Sequence, residues 1–195
     1  MSSGRPRQFD VDQALDRALQ VFWKKGYEGT SLLDLTEAMG INRPSLYAAF
    51  GNKKTLFLKA MDRYVQGPAC HVGEALQEPT ARQAVEYLLR HSIDLITDAS
   101  NPCGCFMVQG ALAVSDDADP VRQEMVRRRA MAEEAFCRRF TRAIAEGDLP
   151  PDTDPGDLAR YVSTISHGLA VQAASGASRD ELLRVAEIVL RSWPA

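Results

Sequence analysis

The chain has 195 residues, 45% of them apolar, and a formal net charge of −3. That supports a real core in one domain or two small ones, and it excludes a protein whose overall basicity would announce nucleic acid. No apolar run approaches the roughly 18 residues of a membrane span, and four cysteines in a chain this long do not make a disulfide scaffold.

The N-terminus is polar and lacks a signal-peptide core, so a reducing cytoplasm is the expected location. Charge is unevenly spread. Residues 1–65 hold ten lysines and arginines against seven acids, and the remainder thirteen against nineteen. A mildly basic head on an acidic body fits a DNA-binding unit joined to one with another task.

In chain order, residues 2–8 carry Arg5 and Arg7 without periodicity. They read either as a disordered tail or as a basic arm for phosphates or a minor groove. Asp10 and Asp12 suit a helix N-terminus. Val11, Ala14, Leu15, Ala18, Leu19 and Phe22 then make one apolar stripe, and Lys24, Lys25 and Gly26 close the helix. Ser31 with Asp34 opens a second helix, with Leu32, Leu35 and Met39 inward and Gly40 at its end. Asn42 and Pro44 open a third. Leu46 and Phe50, four apart, turn inward, which leaves Arg43 and Ser45 facing elsewhere and Tyr47 at the edge. The pattern is a helix-turn-helix, whose second helix enters the major groove.

Asn52 caps a fourth helix, to about Val65, and Gly67-Pro68 ends or kinks it. The rest reads as helices throughout. They span Thr80 to about Thr97, Cys105–Val114, Asp119 to about Glu146, one from Asp154-Pro155 and a last one opened by Ser178 and Glu181. No segment alternates as a strand would. The expected architecture is all-α with about nine helices. Residues 1–52 form the arm and helix-turn-helix domain, and residues 53–195 a helical body.

At this point the chain resembles the TetR family of bacterial transcriptional regulators across about residues 9–65. One family motif is matched by Gly26, Tyr27, Thr30 and Ser31, and a second by Leu46, Tyr47, Phe50 and Lys53. Ala49 replaces the histidine usual there. Beyond residue 70 only length and helix count match. The resemblance assigns ligand binding and dimerisation to residues 53–195. It implies a homodimer paired through the last two helices, a pocket for a small-molecule effector in each body, and a palindromic double-stranded DNA operator. It also implies that Tyr47 and Lys53 touch phosphates.

Arg43 is the expected base reader, because its planar fork fits guanine edges. Ser45 and Pro44 lie beside it on the reading helix. Thr30 or Ser31 could offer a phosphate a hydrogen bond, or could serve only as caps. Lys54 adds an exposed charge of unassigned role.

In the body, Tyr87, His91, Phe106, Met107, Phe136, Tyr161 and His167 combine apolar bulk with polar tips. That composition suits a pocket for a partly apolar molecule and suits a plain helical core equally. Cys103 and Cys105 form a CxC pair. It reads as a thiol sensor of oxidants or electrophiles, helped by a helix N-terminus that favours thiolate, or as ordinary loop and core residues. Two thiolates do not make a metal site, so no metal and no cofactor are expected. The expected function is a ligand-responsive repressor without enzymatic activity. The alternatives are a regulator that signals through thiol modification and a small all-α thiol redox enzyme.

Overall fold

The computed structural model describes residues 9–112 and 115–194. Among these are ten α-helices, one 3-10 turn and no strand. The basic-arm residues Arg5 and Arg7 lie outside the described residues, as do Ala113 and Val114. No helix among the described residues is long and apolar enough to cross a membrane.

The head begins with α1 (Val11–Lys25), α2 (Leu32–Met39) and α3 (Arg43–Phe50). Each boundary has a local chemical cause. The Asp10 carboxylate accepts from the N–H groups of Asp12 and Gln13 at 2.9 and 3.1 Å. Ser31 and Asp34 form a reciprocal capping box, and Gly40 ends α2 at φ 67° in the left-handed region, where a side chain is disfavoured. Asn42 accepts from the Ser45 N–H at 2.9 Å, and Pro44 occupies the first turn of α3, where no intrahelical donor is lost.

Helix α4 (Lys53–Gln66) is capped by Asn52 and Thr55. The break at Gly67-Pro68 separates it from α5 (His71–Ala75). Helices α1 to α4 share one core, with Phe22, Leu35, Leu46, Leu56 and Phe57 fully buried.

The body comprises α5, α6 (Ala81–Thr97), α8 (Asp119–Ala145), α9 (Pro155–Ala174) and α10 (Arg179–Arg191). These enclose a second core of Val85, Leu89, Ile93, Phe140, Ala159, Val162, Leu182 and Val189. Helix α10 ends at Arg191, yet Trp193 stays buried beyond it, 5.7 Å from the Phe140 ring.

The helix expected over Cys105–Val114 is corrected. Among its described residues only one turn, α7 (Phe106–Gln109), forms. The Gly110 N–H closes on the Phe106 carbonyl, and the Gly110 carbonyl accepts from the Tyr27 N–H at 2.7 Å. The segment stops being a helix because its backbone is engaged by the head. Phe106 crosses over with it, packing edge-on against Phe57 and Tyr64 at 5.2 and 5.6 Å. Thus the head core also contains Phe106, Ala111, Val121 and Met125.

Candidate nucleic-acid interface

Helix α3 buries Leu46 and Phe50 and exposes Arg43, Pro44, Tyr47 and Ala48. Its inner face is held by α2 and α4, so its outer face is presented on a rigid support. Tyr47 is 48% exposed. Ser45 is half-buried, and its N–H is held by Asn42.

Lys53, the first residue of α4, is half-buried with its ammonium 4.4 Å from the centre of the Tyr27 ring. Burial lowers its pKa, and the nearby Glu28 carboxylate opposes that shift. An ammonium held over an aromatic face is attracted by the ring's negative face. Its position is therefore more restricted than that of a free surface lysine. The role of Tyr27 as a platform for Lys53 is not visible in the sequence. Lys54 is exposed beside it.

Two expected phosphate partners are already engaged. Thr30 is 1% exposed. Its hydroxyl donates to the Gly26 carbonyl at 2.6 Å, and its N–H reaches the Tyr27 carbonyl at 3.4 Å. This corrects the reading of Thr30 as a DNA contact. The turn after α1 needs a donor for Gly26, and Thr30 supplies it from inside. Ser31 is exposed, but its hydroxyl exchanges hydrogen bonds with Asp34 at 2.9 and 3.0 Å. Its N–H also donates to Asp34 at 2.9 Å. These bonds, with Lys25 at 2.6 Å first among the causes, hold the Asp34 carboxyl down to about 2.

The seven pocket candidates lie in different surroundings. Phe106 is fully buried in the head core, with Met107 packed at its margin. Phe136 packs on Phe140 in the body core, their ring centres 5.9 Å apart. Tyr161 is 42% exposed on α9. Tyr87 and His91 stack on each other at 3.8 Å, and the Tyr87 hydroxyl donates to Glu74. His167 is half-buried, and its pKa is lowered by burial and then by Arg129. A surface cleft of about 500 Å³ lies between α8 and α9, lined by Glu133, Glu134, Cys137, Asp157 and Arg160 among others, and none of the seven reaches it.

The thiols divide. Cys103 is exposed, and Cys105 is half-buried where head meets body. The Tyr64 hydroxyl donates to the Cys105 sulfur at 3.3 Å. Burial raises the Cys105 pKa despite that bond and the nearby Arg129. The lowered thiol pKa expected from a helix start is therefore corrected for Cys105, because α7 is one turn long and desolvation outweighs it. Among the described residues no group of three His, Cys, Asp or Glu could hold a metal ion.

Head and body are joined by contacts that sequence reasoning missed. The Trp23 indole N–H donates to the Gly104 carbonyl at 2.9 Å in a buried setting. Glu28 accepts from the N–H and hydroxyl of Ser115 at 2.8 and 2.6 Å. Arg128 of α8 pairs with Asp62 of α4 at 2.5 Å. Partners 81 and 87 residues apart leave no local signal.

Comparison with known proteins agrees with this geometry. Residues 14–60 match the model for bacterial regulatory proteins of the tetR family, and residues 79–189 match a tetracyclin repressor-like C-terminal domain. The chain is 36% identical over 195 residues to the HTH-type transcriptional repressor ComR of Escherichia coli K12, covering 99% of this chain and 93% of ComR. It is 33% identical to the HTH-type transcriptional regulator YezE of Bacillus subtilis, covering 92% and 93%. Among solved structures, a cysteine mutant of the TetR family transcriptional regulator CifR, complexed with 26 bp double-strand operator DNA, superposes with a TM-score of 0.94. That likeness has 44% identity and covers 97% of this chain and 100% of CifR. The chain belongs to the TetR family of bacterial transcriptional regulators.

Proposed function

We propose that the protein is a ligand-responsive repressor that binds a palindromic operator as a homodimer. The carrying observation is the exposed surface of α3, with Arg43 and Tyr47 at its edge and Lys53 braced on Tyr27 beside it. Arg43 reads base edges, and Tyr47 and Lys53 hold phosphates and set register. ComR carries the name of a repressor, and CifR has been solved on operator DNA, which supports the same reading here. Residues 1–52 hold the DNA-binding unit and residues 53–195 the ligand-binding and dimerisation unit, with α4 coupling the two.

Pairing through α9 and α10 is supported by apolar side chains left uncovered there, namely Val171, Val185 and Ile188, the last 57% exposed. An effector acts by preferring a dimer shape whose two heads no longer match the half-site spacing. Gly104, Cys105 and Ser115 carry that signal, since they touch α1, α4 and the loop at Glu28 respectively.

A gel shift with the DNA upstream of its own gene tests the reading. Sequence-selective, salt-sensitive binding is the expected result, and equal affinity for unrelated duplexes sinks it. Lys53→Gln is expected to weaken binding to all sequences alike and to lower the slope of log K against log salt by about 1. Titration by fluorescence anisotropy at several salt concentrations measures both.

A second reading, signalling through Cys103 and Cys105, draws on the Tyr64–Cys105 contact at the joint. Replacing both cysteines with serine and finding an unchanged response to oxidants and electrophiles removes it.

A further inference from the structure

Two buried residues, Leu46 and Phe50, define the inward direction of α3. At 3.6 residues per turn, Ala48 lies about 180° from their midpoint, with Pro44 and Ser45 on either side of it. Tyr47 falls at one edge, about 80° from the inward direction, and Arg43 lies on the same side about 40° from it, in the exposed first turn. Ala48 and Pro44 are exposed, and Ser45 is half-buried. The line of α3 farthest from the head core is therefore a methyl group and a pyrrolidine ring. Neither can satisfy a donor or an acceptor on a base edge. Both are small enough to let the helix axis approach the groove floor, and both can pack against an apolar group.

In the major groove only thymine presents such a group, its 5-methyl. Any other base there would face Ala48 with a polar edge that has lost water and gained no partner. We propose that Ala48, with Pro44 beside it, reads a thymine methyl in each half-site, while Arg43 supplies the hydrogen-bonded contact at the edge. This assignment of Ala48 rests on the DNA-binding reading above and deepens it.

The test uses the full-length protein. Selection from a randomised duplex library yields its preferred half-site. Each thymine there is then replaced by uracil, which lacks only the methyl. One position per half-site is expected to weaken binding about fourfold, the worth of one buried methyl-sized group. Ala48→Gly is expected to remove that penalty, whereas Lys53→Gln keeps it.

Because glycine can loosen a helix, Ala48→Gln is tested beside it. Glutamine is a good helix former and carries an amide fork suited to adenine, so a repeated selection is expected to replace thymine at that position. The proposal is overturned if no thymine is sensitive to uracil, if Ala48→Gly shows the wild-type penalty, or if Ala48→Gln selects the same base. A wild-type selection that enriches no sequence overturns the DNA-binding reading as well, which separates that failure from this one.

Discussion

Phe106→Ala is expected to lower the unfolding free energy by about 3–5 kcal/mol, the range for a fully buried phenylalanine truncated in a packed core. Phe106 is 0% exposed and meets the rings of Phe57 and Tyr64 edge-on, at interplanar angles of 72° and 83°. Those rings in turn meet Phe22, Tyr27 and Trp23. Deleting one member leaves a cavity bounded by stiff aromatic groups that cannot collapse into it. The effect has a second expected part, because Phe106 sits on the segment between α6 and α8. Its loss should loosen the head from the body, so operator affinity should fall at temperatures where the body is still folded. Phe136→Ala, in the body core at 3% exposed, is the control for a cavity elsewhere. Urea unfolding followed by far-UV circular dichroism, with anisotropy titration of the same samples, reads both parts. A cost below about 1 kcal/mol would mean that the site relaxes around the truncation and that Phe106 is not the keystone of the joint.

How much could be read in advance varies along the chain for physical reasons. The head was legible because its boundaries are local. Ser31 with Asp34, Asn42 with Ser45, and Asn52 with Thr55 each lie within three residues of one another. Glycines at positions 26 and 40 mark positive φ angles that few other residues adopt. The inward set of Leu46 and Phe50 follows from helical spacing alone. The helix expected from Cys105 forms over Phe106–Gln109 and stops there, because the Gly110 carbonyl is taken by the Tyr27 N–H, far away in sequence. Thr30 shows the limit of residue type, since a hydroxyl beside a helix start suits a phosphate and a buried carbonyl equally, and only the fold selects between them. The pocket candidates are dispersed because aromatic and histidine side chains on amphipathic helices face the core, the surface or the head according to helix rotation. Composition carries no information on rotation.

Arg43→Ala is expected to reduce discrimination between the preferred half-site and its variants by about 1–3 kcal/mol per half-site, roughly 5- to 150-fold. Binding to unrelated DNA should change far less. The argument begins with what else on α3 could take over. Tyr47 offers one hydroxyl at the helix edge. Ser45 is half-buried, and Pro44 and Ala48 have no hydrogen-bonding side chain. Arg43 is thus the one exposed cation on the helix, placed in its first turn, where base edges are commonly met. Arg43→Lys should recover the charge and the non-specific affinity but not the discrimination, because an ammonium cannot form two parallel hydrogen bonds to one guanine. That variant separates charge from readout. If lysine restores discrimination, Arg43 is acting as a phosphate anchor, and specificity lies in groove shape. Competition titrations of each variant against a panel of single-base operator changes give the answer. Relaxed preference confined to one position marks the base that Arg43 touches, and weakening spread evenly over all positions refutes the assignment.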